Sequence, residues 1–182
     1  LRYFVPLGEI GTYNLGYQIF KGTVMLMWTS KIYFLPFLSA NIDNVKKIRI
    51  YLYRKRPKIM ALGVLVIVVI FWATPYFFNF FYGDTYEQSI IVARILLIGA
   101  IFVLYQSFYS PLFDAMRRYR FTELTDVVFV IANLTLDVIF VTKFGMIGAA
   151  IATTLVYIGS SIAYEIYFRK NKSVIFKYAL NN

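Results

Sequence analysis

The chain predicts an all-α integral membrane fold, a polytopic bundle of five transmembrane helices. Three observations lead there. Of 182 residues, 60% are hydrophobic, with 18 Phe and 16 Tyr, more apolar surface than a water-soluble domain of this length can bury. Those residues gather into runs close to the roughly 20 that a helix needs to cross about 30 Å of hydrocarbon. Between the runs, basic and acidic breaks alternate, as loops on opposite sides of a bilayer do.

Taken in order, residues 1–14 read as an extracytoplasmic segment, and the first span covers 15–38 (LGYQIFKGTVMLMWTSKIYFLPFL). A basic cytoplasmic loop, 39–58, separates it from the second span at 59–82, whose stretch LGVLVIVVIFW carries no charge. The outer turn 83–88 contains Asp84 and Glu87, and the third span follows at 89–113. A basic cytoplasmic turn, 114–123, leads to the fourth span at 124–142; the short outer turn 143–145 (KFG) leads to the fifth at 146–168. Residues 169–182 form a basic cytoplasmic tail. Pro36, Pro75 and Pro111 fall inside spans and predict kinks. The start at Leu1, with neither a basic n-region nor the short apolar core of a signal peptide, is expected of a piece of a longer protein.

Orientation follows from Lys and Arg, which resist translocation. Seven lie in the first loop (Lys46, Lys47, Arg49, Arg54, Lys55, Arg56, Lys58), three at 117–120 and four in the tail, together fourteen of the nineteen. One orientation places all of them inside, so the formal charge of +10 is membrane topology rather than a nucleic-acid patch. The alternation in IRIYLYR suits a segment lying on anionic membrane lipids. With no Cys and no His, thiolate chemistry, the commonest metal ligand and the commonest general base are lost, so neither an enzyme nor a bound cofactor is expected.

The stretch KFGMIGAAIATT has the glycines of a phosphate loop but no Lys with Ser or Thr after the second Gly, and no third Gly in register. At 100° per residue, Gly145, Gly148, Ala149, Ala152, Gly159 and Ala163 instead share a face about 100° wide. Such a seam lets another helix approach closely, which matters in lipid, where packing replaces the hydrophobic effect as the glue.

Ionised groups inside spans cost roughly 3 kcal/mol each at the bilayer centre and usually face a cavity or a partner. In the first span Tyr17, Lys21, Val24, Trp28 and Lys31 form a stripe about 80° wide. Two ammoniums and two aromatic rings could line a wet cavity for a diphosphate and its sugars, or the lysines could snorkel to the interfaces. In the fourth span Asp126, Asn133 and Asp137 lie within about 40° of one another. They could bind Na⁺ or carry a proton; alternatively Asp137 pairs with Arg94 at matching depth on the third span. Arg94 also counts, with Lys21, Lys31, Tyr17 and Trp28, among the cavity candidates. Gln106 is expected in an interhelical hydrogen bond, and Asp114 and Glu165 as local partners of Arg117, Arg118 or Arg169.

A family resemblance joins these features. Pro75, FFYGDTYEQS, ARILLIGAIF, FDAMRRYRF and KFGMIGAAIATT follow one another in the order and spacing of the C-terminal region of Wzx-like polysaccharide flippases. These belong to the multidrug, oligosaccharidyl-lipid and polysaccharide exporter superfamily. Upstream, GEIGTYNLGYQIF and FLPFLS resemble the segments entering and leaving the eighth helix of a twelve-helix member. The pattern departs where Thr142 replaces a proline, and around Met116 and Arg117, where a glycine is usual.

The resemblance implies a two-lobed transporter in the cytoplasmic membrane whose N-terminal lobe is missing from this chain. It also implies translocation of a polyprenyl-diphosphate-linked oligosaccharide for O-antigen, capsule or exopolysaccharide assembly. A drug or small-solute cation-coupled antiporter of the same superfamily would share the fold.

Overall fold

The computed structural model describes residues 7–83 and 87–178, and every regular element among them is helical. The outer-turn residue Asp84 lies outside the described residues. The first helix, α1 (Leu7–Ser39), starts eight residues before the expected span, so much of the expected extracytoplasmic segment is its first two turns. Its 33 residues run through Pro36.

The basic loop is helical. Asn44 caps a helix, its side chain accepting from the Lys47 N–H at 3.1 Å, and α2 (Val45–Ile50) continues through a π-helical turn, Tyr51–Lys55, into α3 (Arg56–Tyr82). Pro57 accounts for the wide turn: it cannot donate to the carbonyl four residues back, and its ring needs the added room. The IRIYLYR stretch is helical, and its buried residues Ile48, Tyr51 and Leu52 share one helical face. The Tyr51 hydroxyl, fully enclosed, donates to the Phe108 carbonyl at 3.0 Å.

The expected third span divides into α4 (Glu87–Ser107) and α5 (Ser110–Ala115), with Pro111 in the first turn of α5. Lacking an N–H, Pro111 cannot continue the α4 ladder, and the chain re-aims at Phe108 and Tyr109. α5 ends in a Schellman arrangement: the Arg118 N–H bonds to the Phe113 carbonyl at 2.9 Å and the Arg117 N–H to the Asp114 carbonyl at 3.0 Å. Arg117 takes the left-handed conformation, φ 56°, that this motif requires and that glycine adopts without strain. The departure at Met116 and Arg117 therefore changes the residue but keeps the turn.

The last element, α6 (Tyr119–Tyr178), would be about 90 Å long if straight. It breaks at Gly145 (φ 58°, ψ −143°) and folds back on itself. A Cβ on Gly148 would lie 2.1 Å from the Phe140 carbonyl, Asn133 reaches Thr153 at 3.4 Å, Gly159 abuts the Phe129 ring, and the rings of Phe121 and Tyr167 stack 3.7 Å apart. Each pair sums to nearly the same number, the signature of an antiparallel hairpin. The small-residue seam thus packs mainly against the preceding arm, while Gly145 is its hinge rather than a member.

Among the described residues three helical stretches are long and apolar enough to cross a membrane: Val45–Tyr82, Glu87–Ala115 and the folded Tyr119–Lys172. At the centre stands α4, packed against α1, α3 and α6. Its neighbours are held by hydroxyls bonding to backbone carbonyls across helices: Ser89 to Thr12 at 2.8 Å, Thr154 to Ile95 at 3.0 Å, Ser161 to Phe102 at 2.8 Å. Such bonds are worth about 0.6 kcal/mol each in lipid.

Candidate functional site

α1 and the two arms of α6 diverge enough to leave a cleft of about 590 Å³, floored by Val103 and Gln106 of α4. Its walls unite residues that the sequence placed in two separate groups. Tyr17, Val24 and Trp28 come from the α1 stripe; Asp126, Asn133 and Asp137 come from the polar face of the first α6 arm. The second arm adds Thr153, Val156, Tyr157 and Ser160, which recur every three or four residues and so share one helical face. Thr153, Tyr157 and Ser160 give that face a polar signal at helical spacing in the sequence, directly beside the small-residue seam.

Aromatic rings build the α1 wall. Tyr13 and Tyr17 stack at 5.9 Å, Tyr17 meets Phe20 at 5.7 Å, and Phe20 meets Tyr157 of the opposite wall at 5.7 Å. Trp28 stands 64% exposed. Polar groups sit between these rings: Asn133 donates to Thr153 at 3.4 Å, and Ser160 donates to Gln106 at 2.9 Å, the interhelical bond expected of Gln106. Among the described residues neither oxygen of Asp137 is held by an ion pair, and its Oδ1 is enclosed without a hydrogen-bond partner.

The cations lie elsewhere. Lys21 is exposed and does not line the cleft. Lys31 does not snorkel: its ammonium contacts Asp114 at 2.9 Å and Ser110 at 2.9 Å. Asp114 was expected beside Arg117 or Arg118; the break at Pro111 instead sets α5 against α1 and delivers the carboxylate to Lys31. This pair lies one turn beyond Trp28, and a second cavity of about 770 Å³, lined by Leu35, Asp114 and Glu123 among others, opens past it. Lys31 and Asp114 therefore separate two hollows.

The expected ion pair between Arg94 and Asp137 does not form. Matching depth was not enough, because Arg94 leaves α4 toward α3, where its guanidinium lies 5.0 Å from the Phe71 ring, while Asp137 faces the cleft. Glu165 does take Arg169, at 2.5 Å, and accepts from the Tyr105 and Tyr109 hydroxyls as well.

Chemically, the lining among the described residues combines flat aromatic faces with carboxylate, amide and hydroxyl groups and holds no described Lys or Arg. Rings offer an apolar face to the C–H side of a sugar, and carboxylates and amides bond its hydroxyls. The same carboxylates, with no ion-pair partner among the described residues, could neutralise Na⁺ or a proton. No family model, curated protein or solved structure matches this chain, so the likeness to polysaccharide flippases rests on the motifs quoted above.

Proposed function

We propose that the chain is one lobe of a transporter in the cytoplasmic membrane, with five spans and a cytoplasmic C-terminus. It carries a polyprenyl-diphosphate-linked oligosaccharide from the inner to the outer leaflet for surface-polysaccharide assembly. The spans are α1, α3, α4 with α5, and the two arms of α6, which the hinge at Gly145 separates. The observation that carries the reading is the cleft: an aromatic and polar hollow set among helices whose other faces are apolar. A glycan taken from water to hydrocarbon loses its hydrogen bonds at several kcal/mol per group. Walls that replace water with Asp, Asn, Ser and Tyr lower that cost, while the lipid tail stays in hydrocarbon. A second lobe, supplied outside this sequence, would close over the opening, and alternating access would rock the two. Lys21, exposed beside the cleft, is the cation available to the diphosphate; Lys31, released from Asp114, would join it.

Removing the protein should trap lipid-linked oligosaccharide on the inner leaflet, and Trp28→Ala or Asn133→Ala should lower surface glycan with protein abundance unchanged. Unchanged glycan with altered drug sensitivity would move the assignment to a cation-coupled antiporter. Asp126 and Asp137, in no ion pair among the described residues, favour that second reading. Na⁺- or proton-coupled uptake abolished by Asp137→Asn, without any glycan phenotype, would establish it.

A further inference from the structure

On the opposite side of the second α6 arm lies a different kind of site, at the end of the molecule that carries the basic residues. A pocket of about 570 Å³ is bounded by Arg56 and Pro57 of α3, Tyr105 of α4, and Glu165, Arg169 and Lys172 of α6. Three cations against one carboxylate leave it with an excess of two positive charges. The carboxylate is already engaged, since Glu165 accepts from Tyr105, Tyr109 and Arg169. Arg56 has no ion pair among the described residues. Its guanidinium lies over the Tyr105 and Tyr109 rings, at 4.6 and 4.1 Å, and its Nε is enclosed without a hydrogen-bond partner. Arg169 projects outward, its side chain 77% exposed.

An apolar furrow of about 360 Å³ continues from this pocket along the bundle, lined by Met60, Ile101, Phe102, Ile162 and Ile166. The two hollows share Met60, Tyr105, Glu165 and Arg169. A charged chamber that opens into an apolar channel matches an amphiphile with an anionic head and a hydrocarbon chain. By about 100° per residue, the furrow residues of the second α6 arm point roughly 180° away from those lining the cleft. The transport passage and this site are therefore separate, and from the proposed function the inference takes only the bilayer and the orientation that sets the basic end at its cytoplasmic face.

We infer that this site binds one anionic glycerophospholipid of the inner leaflet. Its phosphodiester sits among Arg56, Arg169 and Lys172, and an acyl chain lies along Ile162 and Ile166. Basic pockets between helices at the cytoplasmic side are the usual seat of such headgroups. The lipid would bridge α3 to α6, two elements whose direct contact is slight beside their shared packing on α4.

The test is native mass spectrometry and thermal denaturation of the whole protein in detergent, titrated with phosphatidylglycerol, phosphatidylcholine, glycerol 3-phosphate or inorganic phosphate. One tightly retained phosphatidylglycerol and a rise in melting temperature are expected, with at least a tenfold preference over phosphatidylcholine. Arg169→Gln with Lys172→Gln, both outside the packed core, should abolish the preference. Ile162→Trp, which fills the furrow and leaves the cations intact, should weaken retention at least fivefold. Equal retention of the two lipids, or indifference to the double substitution, would overturn the site. Equal binding of the soluble phosphates, unaffected by Ile162→Trp, would overturn the lipid and leave a phosphate pocket.

Discussion

α3 and α4 are both apolar enough to span a membrane, yet the protein uses them in opposite ways. Half of the apolar window of α4 is buried by other helices, against 11% for the stretch containing α3. The difference lies in the side chains. α4 presents Ser89, Ala93, Gly99 and Ala100, small enough for neighbouring backbones to come close, and all are buried. α3 presents Leu62, Leu65, Val69, Trp72 and Phe80, bulky and exposed, a surface suited to lipid tails. Hydropathy says that a helix enters the membrane; residue size says which neighbours it keeps there.

The largest expected effect comes from filling a close approach at α4. A Cβ on Gly16 of α1 would lie 2.7 Å from the Ser89 carbonyl and 3.0 Å from the Ala93 nitrogen, backbone atoms that cannot step aside. Gly16→Leu should therefore cost at least about 3 kcal/mol, seen as loss of the monodisperse species on size exclusion. Gly63 of α3 meets only the end of the Leu104 side chain, at 2.6 Å, which can rotate away. Gly63→Ala should stay within about 0.5 kcal/mol, because helix propensity offsets the adjustment.

Next in size is a truncation pair. Leu97 is fully enclosed and Val69 is 60% exposed. Leu97→Ala should destabilise by about 2–4 kcal/mol through lost packing, and Val69→Ala by less than about 0.5 kcal/mol, both measured by thermal denaturation in one detergent. Equal losses would mean that α3 is covered in the working protein by something other than lipid, and the contrast between the two helices would fail.

Smaller again is the coupling at the foot of the cleft. Lys31 and Asp114, 40% and 15% exposed, should show about 1 kcal/mol of interaction in a double-mutant cycle with Gln and Asn. A value near zero would leave α5 held to α1 by apolar contact alone. A gain rather than a loss is expected at Arg117, where Gly relieves the left-handed conformation and should stabilise by about 0.5–1 kcal/mol.

Much of this was legible in the sequence because composition and run length are local signals. The helical class, the hinge near KFG and the polar face of Asp126, Asn133 and Asp137 all follow from neighbours along the chain. The pairings were not legible. Depth along a helix can be counted, but azimuth between helices depends on how Pro57 and Pro111 redirect the chain. Arg94 therefore turned to Phe71 rather than Asp137, and Asp114 turned to Lys31. The cleft gathers three helices whose polar stripes are individually visible; that they converge, and that the lysines stay outside, is set by packing on α4.

The central claim is that water reaches the hollow between α1 and α6 while the outer flank of α3 stays in lipid. The chain contains no Cys, so single cysteines can be placed at Asn133 and Val69 in the membrane-embedded protein and challenged with a charged, membrane-impermeant maleimide applied from each side. Asn133→Cys should react from at least one side and Val69→Cys from neither. Should Asn133→Cys stay unmodified from both sides in protein that labels fully after denaturation, the hollow is sealed and the account is contradicted.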